Sequence, residues 1–146
     1  RFNIDVDEFD FALVKARASS NPTARAEWYE CAVALYRGEY LQNMYYEWVF
    51  AERRHLAQSY LNALQELTSY YFANQSPKQA VACIEKALPL DLLNEDLYCH
   101  AMRAYAVLND RTNVSRIYAE LKRLLRVELN AAPLAETDKL YRELIG

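Results

Sequence analysis

The residues of this chain with the most chemistry to offer are three cysteines and two histidines. Cys99 and His100 are adjacent, the one place where a thiol and an imidazole are neighbours. Successive helical residues point about 100° apart, so this pair does not converge on one metal ion. No second ligand pair stands at metal-site spacing. Cys31, Cys83 and Cys99 are odd in number and widely spaced, which predicts reduced, packed thiols in a cytoplasmic protein rather than a disulfide framework. His55 and His100 lie in no nucleophile or metal motif, and the carboxylates follow helix starts and solvent faces. No catalytic, cofactor or metal residue is assigned, and enzyme activity is not expected.

Basic residues could instead hold phosphates. The densest spots are Arg53-Arg54-His55 and Lys122-Arg123 with Arg126, but Glu52, Glu120 and Glu128 lie beside them, the pattern of an interleaved solvent face. Overall, 17 basic residues face 20 acidic ones, a net charge of -3. Residues 1–73 carry 7 basic and 10 acidic side chains, and residues 74–146 carry 10 of each, so neither half is a phosphate-binding arm. No direct nucleic-acid contact is expected. The longest stretches without charge, His55 to Gln65 and Leu67 to Pro77, are eleven residues each, too short to span a membrane. No signal peptide opens the chain, and its first residue is Arg1, which suggests a piece of a longer protein.

These side chains must be positioned by helices. Of 146 residues only Gly38 and Gly146 are glycine, which excludes turn-rich β folds and glycine-rich phosphate loops. Asp5-Val6-Asp7-Glu8 reads as the opening of a first helix that ends near Ala18. Asn21-Pro22 starts a second, burying Trp28, Cys31, Ala32 and Leu35 and stopping at Arg37-Gly38. Glu39 to Tyr46 is an irregular connection whose Tyr40, Tyr45 and Tyr46, with Trp48 after them, pin it to the helices. Glu47 to Asn74 contains neither proline nor glycine and reads as one long helix. Ser76-Pro77-Lys78-Gln79 has the form of a capping box. Asn94 caps a fifth helix, Asn113 to Val127 is a sixth, and Thr137 to Leu144 a seventh.

Leu64, Leu67, Tyr71, Ala80, Ile84 and Ala87 return 34 residues later as Tyr98, Ala101, Tyr105, Val114, Tyr118 and Leu121. That is the period of the tetratricopeptide repeat, in which small residues let paired helices approach closely. Two positions depart from it: Leu92 stands where proline usually ends the repeat, and Thr68 where glycine is usual. The expected fold is all-α: about seven helices, in antiparallel pairs, wound as a right-handed tetratricopeptide-like superhelix in a single domain over residues 1–146.

Several segments, in order, resemble one family. Asp5-Val6-Asp7-Glu8-Phe9 is similar to the opening of the bacterial transcriptional activator domain, found in antibiotic-regulatory-protein-type regulators. Ala34 to Leu41 resembles its Leu-Tyr-Arg-Gly segment, and Trp48 to Leu56 its Trp followed by Glu-Arg and Leu. Glu120 to Leu129, with Pro133, Glu136 and Thr137, resembles its closing stretch; Asn130 replaces the usual glycine, a change that asparagine tolerates. The resemblance covers nearly the whole chain. It implies a non-catalytic regulatory domain acting through protein contacts, with its own DNA-binding or sensor domain, another protomer or the transcription machinery, while DNA recognition lies in another part of the regulator. The alternative is a general tetratricopeptide scaffold that binds a peptide outside transcription.

Repeat helices of this kind line a groove with their first helices. The 34-residue register places Asn62, Gln65 and Ser69, then Asp96, Cys99 and Arg103, on that stripe, with His100 at its edge. Amides and Arg103 there suit a peptide backbone or carboxylate. An ordinary solvated face, or a groove filled by the chain's own last helix, is the competing expectation.

Overall fold

A computed structural model of the protein describes residues 2–36 and 47–146, with side chains described for residues 8–36 and 55–146. All its regular elements are helical: α1 (Phe2–Ala18), α2 (Pro22–Leu35), α3 (Glu47–Ala73), α4 (Pro77–Ala87), α5 (Glu95–Val107), α6 (Arg111–Leu129) and α7 (Ala135–Ile145), with a 3-10 turn at Leu88–Leu90. The chain divides into two compact units, Arg1–Tyr70 and Tyr71–Gly146.

In the first unit α1 packs on α2. Phe9, Ala12, Leu13 and Ala16 form the buried stripe of α1, stepping by threes and fours. The facing stripe of α2 is Ala26, Tyr29 and Ala32, which corrects the expected face. Trp28 is half-buried, meeting the Phe11 ring edge-on with centroids 5.8 Å apart, and Cys31 is exposed rather than packed. Helix α1 also begins at Phe2, upstream of the acidic cluster read as its opening. Helix α2 starts as expected: Asn21 accepts hydrogen bonds from the Thr23 and Ala24 backbone N–H groups, and Pro22 occupies the first turn. It ends at Leu35, before Gly38, which lies outside the described residues with the aromatic connection at Glu39 to Tyr46. Tyr36 then stacks on Tyr60 of α3, centroids 4.0 Å apart and ring planes within 9°.

In the second unit α4 packs on α5, α5 on α6, and α7 on both α5 and α6. All twelve residues of the 34-residue register are buried, ten of them in this unit and Leu64 and Leu67 in the first. Where the register departs from its pattern, local bonds explain the tolerance. The buried Thr68 hydroxyl donates to the Leu64 carbonyl at 2.8 Å, so no orphan polar group is left. The Leu92 carbonyl accepts from the Tyr98 hydroxyl at 2.8 Å, tying down the turn without a proline. Asn94 and Asp110 cap α5 and α6 through their side chains, the latter starting α6 two residues before the expected Asn113. Ser76 does not form its capping box: its hydroxyl sits 3.5 Å from the Asn74 carbonyl, and Pro77 alone shapes the start of α4.

Two carboxylate-centred clusters bolt these helices together. Tyr105 of α5 donates to Glu85 of α4, which also pairs with Arg116 of α6 at 2.9 Å. Tyr118 of α6 donates to Asp138 of α7, which pairs with Arg142, while the Tyr118 ring stacks on Tyr141.

Candidate functional site

The expected groove residues fall into two sets, one in each unit. On α5, Asp96, Cys99, His100 and Arg103 recur at three- and four-residue steps and so share a side of the helix. Asp96 stands in the first turn, where the helix dipole favours an anion, and its backbone N–H is taken by the Asn94 cap at 3.1 Å. His100 is half-buried, its ring 6.0 Å from that of Phe72. Burial holds its imidazole below the usual histidine range, Arg103 pushes the same way and Asp96 opposes, so the ring is neutral at pH 7 and both donates and accepts. Arg103 is exposed, and among the described residues it has no ion-pair partner.

Cys99 belongs to a different contact. Its Sγ lies 3.6 Å from the Thr137 hydroxyl of α7, and burial pushes the thiol up, away from the reactive thiolate. One residue before Asp96, the Glu95 carboxylate accepts from the Leu134 backbone N–H at 3.0 Å and from the Thr137 hydroxyl at 2.8 Å. The last helix therefore covers the Glu95 and Cys99 edge of α5, while Asp96 and Arg103 stay exposed.

In the first unit, Asn62 and Gln65 on α3 line a cavity of about 280 Å³ together with Arg17 of α1, Arg25 of α2, and Ser59 and Glu66 of α3. Ser69 is exposed and is not among its lining residues. Arg25 donates to the Arg17 and Ser19 carbonyls at 3.5 and 3.4 Å and lies 3.7 Å from Glu66. Each contact is longer than a well-formed N–H···O bond, so its fork is held in place without being saturated. The 34-residue register does not reach α1 and α2, which is why reasoning from spacing found Asn62 and Gln65 and missed the two arginines.

The basic runs behave as a solvent face where they are described. Arg123 pairs with Glu120 at 2.7 Å on the same helix, and Lys122 lies over the Tyr118 ring. The side chains of Arg53 and Arg54 lie outside the described residues. Among the described residues, no three His, Cys, Asp or Glu side chains gather as a metal site, and no helix is long and apolar enough to cross a membrane.

Helix hairpins in a 34-residue register, with polar faces and buried tyrosines, define a tetratricopeptide-like helical domain. A family model described as the bacterial transcriptional activator domain matches residues 4–145, and the chain belongs to that family. Its place is in transcription regulation. No curated protein sequence matches the chain.

Proposed function

We propose that this chain is a non-catalytic regulatory domain of a bacterial transcriptional regulator, folded as one domain over residues 1–146 and acting through interdomain or protein–protein contacts in the cytoplasm. Its partners are the regulator's own DNA-binding or sensor domain, a second protomer, or the transcription machinery. The observation that carries this reading is the α5 face: an exposed Arg103 with no ion-pair partner among the described residues, a neutral His100 and an exposed Asp96, next to one another on one helix. A guanidinium so placed suits a carboxylate or backbone carbonyl of a protein partner. The domain itself leaves the DNA alone: with a net charge of -3 it has no surplus of cations to release counterions from phosphates.

The test is recovery of the partner from the intact regulator. Arg103→Glu is expected to weaken association with the DNA-binding or transcription-machinery partner at least tenfold with helix content unchanged, because it both removes a charge-assisted bond and introduces repulsion. Equal recovery by wild type, Arg103→Glu and His100→Ala would overturn the reading.

A further inference from the structure

The cavity of the first unit differs in kind from a solvated face. Its floor carries Ser59, which is only 6% exposed and has no hydrogen-bond partner among the described residues. A buried serine in a helix ordinarily turns its hydroxyl back to the carbonyl four residues earlier, as Thr68 does in this same helix. Ser59 makes no such bond among the described residues, and it lines the cavity. A buried polar group held without a partner is costly, and each one needs a reason. Around it stand two carboxamides, Asn62 and Gln65, and two guanidiniums, of which Arg17 has no acceptor among the described residues and Arg25 has only long ones.

We propose that this cavity binds a small organic molecule carrying one carboxylate, with Arg17 and Arg25 on the carboxylate, Ser59 donating from the floor, and Asn62 and Gln65 bonding the remainder. Charge selects the class. Two guanidiniums against the single carboxylate of Glu66 leave a net charge of one at the rim, which matches a monoanion. A phosphate carries about two charges at neutral pH, and its second charge meets Glu66 unopposed. Size selects further: about 280 Å³ lies just below the range of drug-sized ligands, so a metabolite-sized acid fits and a folded partner does not enter. The site does not involve the Arg103 face, so failure of one reading leaves the other standing.

The experiment is a titration of the whole chain followed by the side-chain amide resonances of Asn62 and Gln65 and the Nε–H resonance of Arg17. The probes are acetate, butyrate and benzoate, with their neutral amides and inorganic phosphate beside them. At least one carboxylate is expected to give saturable shifts at all three residues, with its amide and phosphate weaker by about tenfold or more. Arg17→Met is expected to lose that affinity about tenfold while melting as the wild type does. Ser59→Ala is expected to weaken binding yet raise the melting temperature of the free protein, a combination that a purely structural serine cannot give. The proposal is overturned by no saturable shift with any of the three acids, by equal affinity for an acid and its amide or for phosphate, or by unchanged binding in Arg17→Met.

Discussion

Gln75 and Asn109 stand 34 residues apart and do the same unusual thing: both enter the left-handed helical region, at φ 55° and 60°. Each closes its helix the same way, for the next N–H, that of Ser76 or Asp110, donates back to the Tyr71 or Tyr105 carbonyl at 2.8 or 2.9 Å. The repeat thus extends from the buried side chains to the backbone of its turns. Asn130 ends α6 at φ 49° and ψ 45° in the same motif.

A β-carbon in that region costs roughly 1–2 kcal/mol, less for asparagine, and glycine gives back part of this through its greater freedom when unfolded. Gln75→Gly is therefore expected to stabilise the chain by about 0.5–1 kcal/mol, and Asn109→Gly by less. Urea midpoints read at unchanged slope measure both. A destabilised Gln75→Gly would remove the left-handed turn from the account of the repeat.

Close packing in the second unit rests on small residues. Ala80 and Ala87 are 0% and 1% exposed on the face of α4 that carries Ile84. Ala80→Leu or Ala87→Leu is expected to overpack this face and cost ~1–3 kcal/mol. Thermal melts that superimpose on wild type would contradict the packing.

Two phenols tie stability to alkaline pH. Burial, and then the hydrogen bond to Glu85, pushes Tyr105 up to about 12; burial and then Asp138 do the same for Tyr118. Both begin from the ordinary phenol value of 10.0, so above it the unfolded chain releases protons that the folded chain keeps. The contribution of these groups is complete below pH 10 and is lost as the pH rises toward about 12. Denaturation midpoints between these limits are expected to fall, and the Tyr105→Phe, Tyr118→Phe double variant to fall less steeply. Identical slopes would uncouple the phenols from folding.

Much of this fold is legible from punctuation. Helix α3 lacks proline and glycine, and the structure runs it from Glu47 to Ala73. Asn21, Asn94 and Asn130 act at helix ends as their chemistry suggests. The α2 face is where size misleads: Trp28 and Cys31 look like core, but α1 and α2 pack with Ala12, Ala16, Ala26 and Ala32 all buried, while the indole is only half-buried. The cavity arginines are illegible for another reason. Arg17 and Arg25 look like ordinary surface cations in the chain, and only folding sets them beside the buried Ser59.

Glu95 supplies a fourth measurement. It serves the start of α7 from another helix, accepting both the Leu134 N–H and the Thr137 hydroxyl. Glu95→Ala is expected to cost about 1–2 kcal/mol, the size of a lost helix cap, and to raise hydrogen exchange first at the α7 amides. Uniform exchange across α5, α6 and α7 would show that the cap has no local effect.

The same bond carries a message about order of synthesis. Glu95 precedes its two partners by 39 and 42 residues, so it leaves the ribosome well before either exists to be bound. In that interval α5 and α6 have no cover where α7 will lie, and the Tyr118 ring has no Tyr141 to stack upon. A nascent chain paused or cut there displays apolar surface of the kind that chaperones and proteases act on. Helix α7 therefore closes the packing of α5 and α6, its start held by a carboxylate made some forty residues earlier.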